Sequence, residues 1–279
     1  MGARRGLTRA RRLVLKVGSG LITSPGEGLD AKRIKVLAGD IAALVAERRE
    51  VALVSSGAIA AGIARLGLTS RPRSIPEKQA AAAVGQSALM WHYEQAFKRH
   101  GIKVGQVLLT SQDISDRGRY LNARNTLLAL LDFGVLPIVN ENDTVAVDEI
   151  KVGDNDNLAA LVAHLIDADL LVLLTDVDGL YTGDPRRDPS ARRIETVEAV
   201  TDEIRKLCFD EVGRVSVGGM ATKLEAAQKA GASGIPMVIA SGREPGTLGR
   251  LLKGEPLGTH FLPRDDRLAA RKRWIAFAV

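Results

Sequence analysis

Two lysines beside glycine turns, and one run of acids and amides, are the residues of this chain whose types and spacing could do chemistry. Lys16 closes the apolar run RLVLK and is followed, after Val17, by Gly18, Ser19 and Gly20. A turn of that composition aims successive backbone N–H groups at one point and forms an anion-binding nest. Lys223 stands in VGGMATK, in the first turn of a predicted helix opened by Gly218 and Gly219. Helix-start amides and the macrodipole favour phosphate there, and a lysine adds a full charge. Either lysine alone looks like a surface residue beside a turn; the pair is what a polyphosphate cradle needs. The third feature is Asp154, Asn155, Asp156 and Asn157 in KVGDNDNLAA. A calcium loop would need an oxygen ligand, a glycine and a glutamate at its fifth, sixth and twelfth positions. Counted from Asp154, those positions are Leu158, Ala159 and Leu165, which excludes that reading. A cap on a helix starting near Leu158 and a part in an active site both stay open.

Other chemistries fall away. VGSGLIT has Thr23 where a dinucleotide fingerprint needs its third glycine, and there is no GxxxxGK[ST] run. Cys208 is the only cysteine, so internal disulfides and multi-cysteine zinc motifs are ruled out and a reducing, cytoplasmic setting is expected. Nothing around CFDEVGR would activate that thiol. His92, His100, His164 and His260 lack the close spacing of metal ligands. The net charge of +6 raises a nucleic-acid alternative, a noncatalytic protein whose binding would be strongly salt-sensitive. Five of those charges belong to Arg4, Arg5, Arg9, Arg11 and Arg12, which leaves a near-neutral body and argues against it. Residues 1–12 read as a solvated, disordered basic tail. No 18-residue apolar run marks a membrane span.

The elements that must position these groups follow from periodicity. Short, nearly continuous apolar runs, RLVLKVG, VALVSSG, KVGQVLLT, VLPIVNEND, DLLVLLTDVDG and IPMVIASG, alternate with longer amphipathic stretches. Strands buried on both faces of a parallel sheet read this way, so the class is α/β with helices on the sheet faces. In such sheets ligands bind beyond the carboxyl ends of the strands. Those ends carry KVGSG, SSGA, NEND and TDVDGLYTGDP; each alone is an ordinary turn, but four at one edge point to a site. GLYTGDPRRDPS is a surface excursion that opens a short hairpin with RIETVEAV.

From about Leu13 to Phe277, through LKVGSGLIT, VSSGAIAAG, VGQ, LLTSQD, RYLNARNT, IVNENDTVAVDEI, GDNDNLAA, LLTDVDGLYTGDP, VGGMATK and IASG, the chain resembles the amino-acid kinase family. Within it, the motifs are most similar to the branch acting on free L-glutamate. The resemblance implies a three-layer αβα sandwich with a mainly parallel central sheet, spanning residues 13–263. It implies ATP-dependent phosphorylation of the glutamate side-chain carboxylate to L-glutamyl 5-phosphate, the first step towards proline. Sister branches acting on N-acetylglutamate or aspartate are the alternative. Carried over by position, Lys16 and Lys223 would contact the phosphates and Asp156 would hold both lysines. Ser56, Gly57, Asp143, Asp154 and Asn155 would bind glutamate. Gly18, Ser19, Thr175 and Asp176, with Val217, Gly218, Gly219, Met220, Ala221 and Thr222, would line the nucleotide. Magnesium would ride on the phosphates with no dedicated protein ligands. Asp143 and Asp154 suit a free ammonium group, which favours glutamate over its acetylated form. Proline inhibition and a homo-oligomer, dimer or tetramer, are also implied. Val217 and Ala221 stand where the family commonly has hydroxyl residues. Residues 264–279 fall where a PUA domain begins in longer relatives.

Overall fold

The computed structural model of the chain describes residues 5–24, 26–146, 155–208 and 219–263. In chain order they form α1 (Arg5–Arg9), β1 (Arg12–Val17), α2 (Ser19–Ile22), β2 (Thr23–Ser24), β3 (Gly28–Leu29), α3 (Ala31–Ala46), β4 (Glu50–Ser55), α4 (Ala58–Arg65) and α5 (Ile75–Lys98). They continue with β5 (Lys103–Leu109), α6 (Ser111–Ser115), α7 (Arg117–Asp132), β6 (Val135–Glu141), α8 (Asn155–Leu165) and β7 (Leu170–Thr175). The last are β8 (Thr196–Val197), α9 (Asp202–Lys206), α10 (Met220–Ala232), β9 (Met237–Ser241), α11 (Thr247–Leu252) and β10 (Thr259–Phe261). Two compact units result, one drawn from residues 1–16 and 152–279, the other from 17–151.

In the 17–151 unit the strand order is β5-β6-β4, all parallel, with Gln106 opposite Ile138 and Leu53 opposite Ile138 on its other side. β4 and β6 are buried almost throughout, as their unbroken apolar sequences require, whereas the edge strand β5 is half-exposed. β2 and β3 form a separate two-stranded antiparallel ladder. Helix starts are chemically marked. Asp30 accepts from the amides of Lys32 and Arg33 at the head of α3, and Ser74 and Glu77 form a reciprocal capping box on α5. α4 and α5 cross at two glycines. A Cβ on Gly62 would lie 1.8 Å from the carbonyl oxygen of Ala81, and one on Gly85 would lie 1.7 Å from that of Ala58.

In the other unit the order is β1-β7-β9-β10-β8. β7 and β9 are parallel, β10 runs antiparallel to β9, and β8 pairs parallel with β10. Every residue of β7, LLVLLT, is buried. The mainly parallel α/β class therefore holds in each unit, with β10 and the separate β2–β3 ladder as exceptions. The expected hairpin after Gly179 shrinks to one antiparallel bridge, Tyr181 with Arg193, because Thr196 and Val197 are taken by β10.

The basic tail needs correction for its described part. Residues 5–9 are helical, Leu7 is 1% exposed and Ala10 3%, and the amides of Arg11 and Arg12 both donate to Asp169 Oδ2 at 2.9 Å. Leu7 and Ala10, three residues apart, supply an apolar side that the surrounding arginines hid. Residues 264–279 lie outside the described set. Among the described residues no helix is long and apolar enough to cross a membrane.

The glycine crossing yields a stability test. Gly85→Ala should destabilise at the upper end of the roughly 1–3 kcal/mol seen for overpacking, because backbone has to move. Gly39→Ala in α3, where a new Cβ meets nothing within 4 Å, should instead stabilise by up to about 1 kcal/mol. Urea unfolding midpoints of the two variants should move in opposite directions.

Candidate active site

α8 begins three residues earlier than the sequence pattern indicated, at Asn155, so Asn155, Asp156 and Asn157 belong to the first turn of the helix rather than to a segment flanking it. Successive helical residues point about 100° apart, and here all three first-turn side chains point into protein. Asp156 is 0% exposed, and Asn155 and Asn157 are also buried. Asn157 donates through Nδ2 to Glu225 Oε2 at 3.1 Å, tying α8 to α10.

Asp156 is the centre of a buried cluster. Lys16 Nζ, on β1, lies 2.6 Å from its Oδ1, and Lys223 Nζ, one turn into α10, lies 3.1 Å from its Oδ2. Thr222 Oγ1 is 2.8 Å from the same Oδ2 and 2.9 Å from the carbonyl oxygen of Gly219. Lys16 is 4% exposed and Lys223 6%. Burial by itself would raise the Asp156 pKa, but the charges of Lys16 and Lys223 and the donors around it outweigh that, and the carboxyl sits below its ordinary value. Among the described residues, two lysines meet one carboxylate in a place water barely reaches. Such an arrangement suits an anion. Gly219 caps α10 in extended conformation with no side-chain acceptor, so the first-turn amides of α10 are presented beside Lys223. Thr175 ends β7 and donates to Asp176 Oδ1 at 3.0 Å, and Asp176 is exposed.

The 17–151 unit places the other group. Gly18 caps α2 in extended conformation, and Ser19 is its first residue. The amide of Ser56 donates to the carbonyl of Val17 at 3.2 Å, so the turn after β1 and the turn after β4 lie side by side. Gly57 has φ +107°, a left-handed conformation that a side chain would strain, and a Cβ there would press on Ile22 Cδ1 at 3.2 Å. Ser55 Oγ donates to the carbonyl of Ser56 at 3.0 Å, so its 2.8 Å partner Tyr93 OH is the donor to Ser55. Burial keeps that phenol protonated by raising its pKa. After β6, Asn142 Oδ1 accepts from Thr144 Oγ1 at 2.6 Å, which stiffens the turn that carries Asp143. Burial pushes the Asp143 carboxyl up to about 6.

The structure thus brings together Lys16, Asp156, Thr222, Lys223 and Gly219 in one unit, and Gly18, Ser19, Ser56 and Gly57 in the other. Asn155 lies next to Asp156, Met220 is half-buried, and Ala221 is exposed. Asp154, Val217 and Gly218 lie outside the described residues. Sequence reasoning singled out Asn157 without giving it a role, and it missed Tyr93 and the Gln86–Asn140 amide pair, in which Asn140 Nδ2 donates to Gln86 Oε1 at 2.8 Å. VGQ and NEND contained the last two, but nothing in either string announces a partner 54 residues away.

Residues 11–241 match the model of the Amino acid kinase family. A protein named Glutamate 5-kinase from Citrifermentans bemidjiense is 52% identical over 273 residues, which is 98% of this chain and 73% of that protein. Another of that name from Paraburkholderia xenovorans is 55% identical over 267 residues, covering 96% and 72%. Among solved structures, a UMP kinase from Bacillus anthracis aligns with a TM-score of 0.60 at 19% identity, over 92% of this chain and 97% of that one. A carbamate kinase from Giardia lamblia bound to AMP-PNP aligns with a TM-score of 0.64 at 20% identity, over 91% and 99%. These two share the fold. With a family match over most of its length and relatives more than half identical, this chain belongs to the amino acid kinase family.

Proposed function

We propose that the chain catalyses ATP-dependent phosphorylation of the side-chain carboxylate of L-glutamate, giving L-glutamyl 5-phosphate for proline biosynthesis. The observation that carries this is the buried cationic cluster in which Lys16 and Lys223 share Asp156. The acceptor carboxylate has an ordinary pKa of about 4.3 and is already ionised at neutral pH, so the reaction needs no general base. What remains is to align two anions that repel and to neutralise the charge of the transferring phosphoryl group. Lys16 and Lys223 do this as point charges, and the α10 amides beside Gly219 add dipoles that cost no reorganisation. Asp156 fixes where both ammonium groups point. Magnesium would supply further neutralisation on the nucleotide oxygens. Both Asp156 oxygens face lysines, so that carboxylate is engaged by cations of the protein itself.

Glutamate is assigned to Ser56, Gly57, Asp143 and Asn155, with Asp154 included from the resemblance. Asp143 matches the free ammonium group, which supports glutamate over N-acetylglutamate. Proline carries the same ammonium and carboxylate, so its inhibition is proposed to be competitive with glutamate. Function as a homo-oligomer is carried over from the resemblance. Cys208 is half-exposed and in no disulfide, which suits the proposed cytoplasmic location.

The direct test is ADP release with magnesium-ATP, which should require L-glutamate and should not be supported equally by N-acetylglutamate or aspartate. Lys223→Ala should lower kcat by roughly 10²–10³, the usual cost of losing one preorganised charge-stabilising group, and should also lower the melting temperature, because the buried Asp156 Oδ2 loses its cation. With the Asp143 carboxyl at about 6, its charge disappears as pH falls through that value, so the KM for glutamate should climb below pH 6 while the KM for ATP stays level. Asp143→Asn should raise the glutamate KM at every pH and flatten that profile.

A further inference from the structure

We infer that Gln86 is a specificity-determining residue of the amino-acid site, offering its carboxamide N–H groups to an α-carboxylate oxygen of the bound substrate. This rests on the assignment of glutamate to the residues around Asp143.

The orientation of Gln86 is fixed by a chain of donors and acceptors. The backbone amide of Glu141 donates to Asn140 Oδ1 at 3.0 Å, and a backbone N–H has no alternative role. Asn140 must therefore turn Nδ2 towards Gln86, whose Oε1 accepts at 2.8 Å. Reversing either amide would set donor against donor. Gln86 Nε2 consequently points the other way, is buried, and has no acceptor among the described residues. A buried amide nitrogen left so costs more than a made hydrogen bond contributes, and such groups are normally completed by an oxygen.

The position of this donor identifies the oxygen. Val54 pairs with Val139, and Ser55 and Asn140 each lie one residue further along. Tyr93, seven residues after Gln86 and so on the same face of α5, donates to Ser55. One face of α5 therefore sets two polar groups on the carboxyl ends of β4 and β6. Ser56 and the turn carrying Asp143 emerge from those ends, where open α/β sheets bind ligands. An α-amino acid whose ammonium is met by Asp143 brings its α-carboxylate alongside, and that group needs donors.

Steady-state kinetics of Gln86→Glu and Gln86→Met, with melting temperatures, test this. Glutamate at position 86 still accepts from Asn140 but replaces two donors with a negative charge. It should raise the KM for L-glutamate at least about tenfold, with the KM for ATP within about twofold and the melting temperature unchanged. Gln86→Met loses donor and acceptor together and should raise the glutamate KM while also melting earlier. A folded Gln86→Glu protein with wild-type KM for glutamate overturns the inference, as does an equal rise in both KM values. Glutamate-independent ADP release by the wild-type protein would instead remove the functional assignment on which it stands.

Discussion

A single carboxylate with no solvent exposure holds two lysines that come from elements more than 200 residues apart in the chain. That constraint organises the unit built from β1, α8, β7 and α10. An aspartate so deep in protein is tolerable only while cations meet both oxygens, and buried lysines are tolerable only while an anion sits between them. The strand carrying Lys16 and the helix carrying Lys223 are therefore held at fixed distances from the first turn of α8. Asn157 reinforces this from the next position by gripping Glu225 on α10. Under the proposed function, the polyphosphate of the nucleotide is the anion that these two lysines would meet.

The fold was legible where periodicity was strong. The helix expected after the glycines of VGGMATK is α10, which begins at Met220, and the apolar runs RLVLKVG and DLLVLLTDVDG hold β1 and β7. Short elements escaped: α4, α6, α9, α11 and β10 have between three and eight residues, too few for a period to show. At α8 the polar opening residues masked the helix start, since Asn and Asp are ordinary turn formers and only tertiary contacts make them first-turn residues. The basic tail misled for a related reason: one buried leucine among arginines outweighs composition when it has a surface to pack on. For the site, residue types beside glycine turns located the lysines. Their shared carboxylate had to be carried over from resemblance, because pairing across that separation leaves no local trace.

α5 serves two purposes along one length. Its small face, Ala81 and Gly85, lets it approach α4 to backbone contact, while Gln86 and Tyr93 supply polar contacts to β6 and β4. Gly85 and Gln86 are adjacent, so the close crossing also sets how far the carboxamide reaches. Packing and polar positioning are coupled there by sequence adjacency alone.

Thr222 gives the cluster a degree of freedom of another kind. Its hydroxyl has one proton and two acceptors within reach, the Asp156 carboxylate at 2.8 Å and the Gly219 carbonyl at 2.9 Å. Turning from the first to the second exposes more negative charge to both lysines and engages the carbonyl at the head of α10. A rotation about one bond can thus redistribute charge across the cluster within picoseconds to nanoseconds, with no backbone movement at all.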